Sequence, residues 1–191
     1  RLIDGELDDK LRLLYGDALE AQKQKYLALT DAFEGAFGES DDAVLFSAPG
    51  RSEIGGNHTD HQLGRVLAAT VTVDTRAGVA PRNDNIVRIH SQGYTPLCDS
   101  LDQLAPNATE ENASEALVRG IAERFTQTGR KVGGFDAVTA SDVPKGSGLS
   151  SSAAFSILVS TIFSELYNEG QISPVEQALA SKYAENKHFG K

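Results

Sequence analysis

The sequence contains no methionine and one cysteine among its 191 residues. A lone cysteine, Cys98, excludes an intrachain disulfide framework and fits a reducing, cytoplasmic setting. Cys98 itself reads as a small buried apolar residue. A chain without methionine does not begin at a translation start, so the expectation is a piece of a longer protein. Positive charge is also scarce. The 18 lysines and arginines are outnumbered by 27 acidic residues, giving a net charge of −9, which argues against a nucleic-acid surface. No apolar run is long enough to span a bilayer. What remains is adequate for a globular domain: 40% hydrophobic residues and a length suited to one domain or a little more.

One stretch organises the rest: Val143-Pro144-Lys145-Gly146-Ser147-Gly148-Leu149-Ser150-Ser151-Ser152-Ala153-Ala154. It reads as a strand end, a glycine turn and the start of a helix. Gly146 and Gly148 permit a tight turn and close approach of a ligand to the main chain. The serines sit where the first helical N–H groups lack intrahelical partners, and with the helix dipole this makes an anion site suited to phosphate. Lys145, Arg51 and the helix end are the sources of positive potential for an anionic nucleotide. A helix merely capped by serine is the plainer reading, but one serine suffices for a cap. The loop is not a Walker A motif, because no Lys-Ser or Lys-Thr pair follows its second glycine. It is not the dinucleotide fingerprint either, because Ser151 stands at the third glycine position.

The flanking pattern predicts a mixed domain. Helices are expected over 6–15 and 18–36, the second with Leu19, Tyr26, Leu27, Thr30, Phe33 and Phe37 on one face. Residues 43–48 read as a strand closed by a Pro49-Gly50 turn. Residues 66–80 and 86–91 read as strands joined in a hairpin through a turn at 81–85. Residues 95–110 read as a polar loop with a short helix around Leu101 and Leu104. A helix over 111–127 carries Ala113, Leu117, Ile121 and Phe125 on one stripe, with Gly129 as its stop. Phe135, Ala137 and Thr139 alternate in a strand leading into the glycine turn. The helix after it places Phe155, Leu158, Val159, Ile162 and Leu166 on one stripe. Ser173-Pro174-Val175-Glu176 is a capping box opening a helix to about Lys187, with Ala178, Leu179 and Tyr183 toward the core. Helices with an antiparallel-looking strand set make the fold class α+β rather than doubly wound α/β.

Upstream, Arg51-Ser52-Glu53-Ile54-Gly55-Gly56-Asn57-His58-Thr59-Asp60-His61-Gln62 is dense in groups that hold a polyol. Arg51 offers a fixed fork of donors suited to phosphate or carboxylate. His58, Asp60 and His61 also raise a metal site, although their spacing is not that of a zincin and no cysteine lies nearby. A plain polar loop is the remaining reading of this segment by itself.

The glycine turn, P-K-G-S-G-L-S-S-S-A-A, resembles the second motif of the GHMP kinases, and A-P-G-R-S-E-I-G-G-N-H-T-D-H-Q-L-G-R-V-L resembles the galactokinase signature within that superfamily. The resemblance implies an N-terminal domain like ribosomal protein S5 domain 2, and phosphorylation of galactose by ATP at the anomeric hydroxyl. It implies that Arg51 stabilises charge during transfer and that Asn57, His58, Thr59 and Asp60 line the sugar site. It assigns Ser91, Gly146, Ser147, Gly148, Leu149, Ser150, Ser151 and Ser152 to ATP, and Ser152 with Glu185 to Mg²⁺. The family usually has glutamate at Asn57, asparagine at Glu53 and Tyr-Asn at His61-Gln62. These departures bear on the sugar more than on the reaction.

The catalytic base of the family is an aspartate in a segment following the A-E-x-x-x-x-G pattern, here Ala184 to Gly190. Residues 1–191 are therefore expected to form the sugar- and ATP-binding part of a kinase that continues into the base segment and a C-terminal domain. Three other readings stand beside this one: another GHMP sugar 1-kinase, a galactose sensor derived from a kinase, and an S5-like structural or nucleic-acid-binding domain. The intact Ser151-Ser152-Ala153 counts against the sensor, and the net charge counts against the last.

Overall fold

The computed structural model describes residues 2–56, 64–107 and 113–190. Two helices come first, α1 (Asp8–Tyr15) and α2 (Leu19–Phe37), joined by one tight turn over Gly16–Ala18. Strands β1 (Val44–Gly55), β2 (Leu67–Pro81), β3 (Ile86–Ser91) and β4 (Leu97–Ser100) follow. Then come α3 (Ser114–Gln127), β5 (Phe135–Ser141), α4 (Ser151–Asn168) and α5 (Pro174–Ala184), with a wider π-type turn over Glu185–Phe189. The sheet order is β1-β2-β5-β3-β4, and every neighbouring pair is antiparallel except β3 with β5. The α+β expectation holds.

Alternation along the central strands sends side chains to two cores. Ala77, Val79, Ile89, Phe135 and Ala137 join Ile121, Phe125, Leu158, Ile162 and Phe163 under α3, α4 and α5. Ala80 and Val138 point the other way and meet Tyr26, Leu29 and Phe33 of α2. The sheet is thus covered by helices on both faces. Among the described residues, no helix is long and apolar enough to cross a membrane.

The order differs from the expected hairpin, because β5 inserts between β2 and β3. Val79 and Ile89 both face Ala137, from opposite sides of β5. The 82–85 turn straddles the start of β5: Arg82 N–H donates to the Gly134 carbonyl and Gly134 N–H to the Asp84 carbonyl, both at 2.9 Å. Asp136 then draws the two flanking strands together, accepting from Arg88 at 2.6 Å and Arg82 at 3.2 Å. A turn between two strands does not make them neighbours when a third has a charge partner for each.

Other expectations are also corrected. The stretch 95–110 contains strand β4 in place of a helix at Leu101, because Leu97 and Asp99 alternate inward and Asp99 meets Arg119 at 2.6 Å. That alternation turns Cys98 outward, so it is exposed rather than buried. β1 does not end at Pro49-Gly50. It is an edge strand, where proline loses no ladder bond, and a register irregularity between Pro49 and Arg51 absorbs the glycine. On α5 the buried face is Ala180, Ser181 and Ala184; Ala178 is exposed, and so is Leu179, at 53%. Within the expected 111–127 helix, α3 begins at Ser114. Leu29 belongs to the buried face of α2, beside the expected Tyr26 and Phe33.

Two predictions follow from this packing. At Gly120 a Cβ would meet Ala184 Cα at 2.7 Å and His188 Cδ2 at 2.9 Å, so α3 lies against the backbone of α5. Gly120→Val should destabilise the fold by about 2 kcal/mol in urea unfolding. The capping box of α5 is complete, with Glu176 N–H on Ser173 Oγ at 3.3 Å and Ser173 N–H on Glu176 Oε2 at 3.0 Å. Arg130, at 2.7 Å, and the Ser173 donors hold the Glu176 carboxyl at about 2. Its folded value is depressed, so its contribution is complete above about pH 4.5 and is lost as pH falls toward 2. The urea midpoints of wild type and Glu176→Gln should differ by a constant amount from pH 5 to 7 and converge below pH 4.5.

Candidate active site

The glycine turn emerges from β5, at the centre of the sheet. Gly146 (φ 74°), Gly148 (φ 78°) and Ser150 (φ 62°) all take left-handed backbone. For serine this conformation costs about 1 kcal/mol, and such strain collects at functional loops. Ser147 stiffens the turn from within: its Oγ donates to the Pro144 carbonyl at 2.7 Å and accepts from Leu149 N–H at 3.2 Å. The Ser150 carbonyl accepts the first helical bond, from Ala154 N–H at 2.9 Å, yet the Ser150 side chain makes no capping bond. The helix end is therefore not a simple serine cap. It presents its first turn to a cavity.

That cavity has a volume of about 820 Å³. Its lining combines the hydroxyls of Ser151 and Ser152 with the apolar side chains of Ile89, Leu97, Leu117 and Phe155. Ser91 lies on its wall, hydrogen-bonded to Thr139 at 2.7 Å. The expected ATP residues Ser91, Ser151 and Ser152 thus share one cavity.

The second motif is joined to the first through the main chain. Arg51 N–H donates to the Leu149 carbonyl at 3.1 Å. This contact requires glycine at 50, where a Cβ would stand 2.9 Å from that carbonyl oxygen and 3.2–3.3 Å from Val71 and Val143. The Arg51 side chain is 46% exposed and pairs with Glu53 at 3.3 Å. Asn57, His58, Thr59 and Asp60 lie outside the described residues.

Glu185 reaches the helix end from the opposite side. Its Oε1 accepts from Ser152 Oγ at 3.3 Å, so the expected Mg²⁺ pair comes together across 33 positions of sequence. The wider turn at Glu185–Phe189 replaces the last stretch of the expected helix, and π-type turns often mark functional positions. It is anchored by buried His188, whose Nε2 lies 2.6 Å from Glu123 Oε2, and by Tyr183, whose OH donates to the same carboxylate at 2.9 Å. Two oxygen ligands of this kind suit a hard cation. Among the described residues, no cluster of three or more histidine, cysteine or acidic side chains could hold a metal without help from a ligand.

Sequence reasoning missed the charged network beneath the loop. Asp142, directly after β5, takes Arg76 at 2.9 Å and Lys25 at 2.6 Å. Burial favours its neutral form, but the hydrogen bonds from Arg76 and Lys25 outweigh burial and hold Asp142 below the ordinary carboxylate range. Arg76 also pairs with Asp74 at 3.0 Å, and Asp74 accepts from Tyr15 and Ser47, each at 2.5 Å. Burial, then the bond to Asp74, pushes the Tyr15 phenol far above its usual value. The Asp142 N–H also bonds the Asp74 carbonyl at 2.9 Å. The signal in the sequence was Asp74-Thr75-Arg76, charges set inside an otherwise apolar strand.

Comparison with known proteins agrees with both motifs. A family model described as the galactokinase galactose-binding signature matches residues 31–81, and one described as the GHMP kinases N terminal domain matches residues 116–191. Lactococcus lactis galactokinase, solved with galactose, is similar over 87% of this chain and 43% of its own, with 26% identity and a TM-score of 0.80. Methanococcus jannaschii mevalonate kinase (78% of this chain, 48% of its own, 16% identity, TM-score 0.63) shares the fold. So does Streptococcus pneumoniae phosphomevalonate kinase in complex with phosphomevalonate and AMPPNP (77%, 44%, 16%, TM-score 0.56). The chain spans less than half the length of each.

The network yields a stability prediction. Arg76→Met strands Asp74 in the interior and should cost about 3 kcal/mol in urea unfolding. Lys25, 43% exposed, is screened by solvent, and Lys25→Met should cost less than about 1 kcal/mol.

Proposed function

We propose, for a chain that belongs to the GHMP kinases and carries the galactokinase galactose-binding signature, that the whole protein transfers the γ-phosphoryl group of ATP to the anomeric hydroxyl of galactose. The products are galactose 1-phosphate and ADP. The observation that supports this reading is the bond from Arg51 N–H to the Leu149 carbonyl, which brings Arg51, the first residue of the sugar motif, against the glycine turn. The match to a galactokinase solved with galactose supports the choice of sugar.

Phosphoryl transfer needs positioning and charge stabilisation more than covalent help. Residues Gly146 to Ser152 hold the phosphates of ATP with main-chain N–H groups at the α4 N-terminus. Ser91 lines the nucleotide cavity. The Arg51 guanidinium stabilises the charge on the transferring group. Asn57, His58, Thr59 and Asp60 bind and orient the sugar hydroxyls. Ser152 and Glu185 hold Mg²⁺, and their oxygens at 3.3 Å suit it. The ion, when bound, neutralises phosphate charge. The bond from the γ-phosphorus to the β–γ bridging oxygen breaks and the bond to the sugar oxygen forms. The hydroxyl proton passes to a general base, and residues 1–191 supply sugar- and ATP-binding groups. The protein works in the cytoplasm, where Cys98 stays reduced.

A specific observation favours a second reading, another sugar 1-kinase of the same superfamily. Glu53 stands where galactokinases have asparagine, and it is paired with Arg51. Asn57 stands where they have glutamate. The acid has in effect moved four positions along the motif.

The test is an ADP-release assay on the whole protein with Mg-ATP and galactose, glucose, N-acetylgalactosamine, mevalonate or homoserine. Turnover should be confined to galactose, and Arg51→Ala should lower kcat about a thousandfold. Turnover on a different sugar would favour the second reading. Galactose binding without turnover would favour a sensor.

A further inference from the structure

The cavity at the α4 N-terminus has an unexplained feature at its mouth. Among the described residues that line it, Lys145 is the one lysine or arginine and Glu115 the one acid. The Lys145 ammonium has an aromatic partner. It sits over the ring of Tyr94, with Nζ 5.5 Å from the centroid. Tyr94 belongs to the turn after β3, held by its N–H on the Ser91 carbonyl at 3.0 Å, and the residue is 62% exposed. An exposed tyrosine paired with the one basic side chain among the described lining residues links the β3–β4 turn to the glycine loop.

We propose that Lys145 and Tyr94 form a two-part clamp for the nucleotide; this rests on the ATP reading above. When a triphosphate arrives, the ammonium leaves the ring for a phosphate oxygen, because a charge-assisted hydrogen bond exceeds an exposed cation–π contact. The ring face it vacates borders the cavity and stacks on the nucleoside. Lys145 then recognises phosphate and Tyr94 recognises base or ribose. In a chain with net charge −9 this lysine also offsets the repulsion of a polyanion. Both side chains lie at the surface, so replacing them leaves the two cores intact.

The experiment is calorimetric titration of the whole protein with MgATP, magnesium tripolyphosphate and adenosine, using Lys145→Met, Lys145→Arg, Tyr94→Ala and Tyr94→Phe. Lys145→Met should weaken MgATP and tripolyphosphate about tenfold without weakening adenosine, whose stacking face on Tyr94 it uncovers, with Lys145→Arg recovering most of the loss. Tyr94→Ala should weaken MgATP and adenosine about tenfold and leave tripolyphosphate unchanged, with Tyr94→Phe close to wild type. Wild-type affinity for MgATP in Lys145→Met or Tyr94→Ala overturns the clamp while leaving the ATP reading intact. Equal losses on tripolyphosphate and adenosine in both variants also overturn it, because they mean a collapsed loop rather than separate recognition. A wild-type protein that binds none of the three probes overturns the ATP reading, and the clamp with it.

Discussion

A single main-chain hydrogen bond, from Arg51 to Leu149, is the constraint on which the site depends. It joins an edge strand to a loop that begins about 90 residues later in the sequence. The bond forms only because position 50 has no side chain to fill the gap. On one side of it stands Arg51 with its partner Glu53, and on the other the left-handed turn through Gly146, Gly148 and Ser150. Every role proposed for Arg51 and the phosphate loop assumes that this bond sets their separation.

The rest of the domain supports that joint from both faces of the sheet. Above it, α4 is buried along most of its length, which fixes the direction of its N-terminus. Gly120 lets α3 press against α5, and the turn beyond α5 then brings Glu185 to Ser152. Below it, the Asp74–Arg76–Asp142 network ties the stem of the loop to α1 and α2. Buried ion pairs are weak sources of stability, but they do specify one arrangement, since any other leaves a charge stranded. Here the element so fixed is the base of the glycine loop.

Much of this was legible in the sequence, for physical reasons. Period-3.6 stripes located α2, α3 and α4, because burial on one side leaves a strong signature, and the Ser173–Glu176 box located the start of α5. The glycines of the loop announced its left-handed backbone. What was not legible depended on partners distant in sequence. The position of β5 between β2 and β3 rests on Asp136 meeting Arg82 and Arg88. The buried face of α5 could not be read from Ala178 and Leu179, because small residues opposite α3 decided it. Cys98 was misplaced because the inward partner of β4 is a charged residue, Asp99, buried against Arg119. The pairing of Ser152 with Glu185 came from the family resemblance and not from any local pattern.

The most direct test of the account is the affinity of a Gly50→Val variant of the whole protein for MgATP and for galactose, measured by calorimetry beside its thermal midpoint. If the joint between Arg51 and Leu149 sets the geometry of both halves of the site, the folded variant loses affinity for both ligands together, by about tenfold or more. A folded variant that binds both ligands as tightly as the wild type would contradict the central claim.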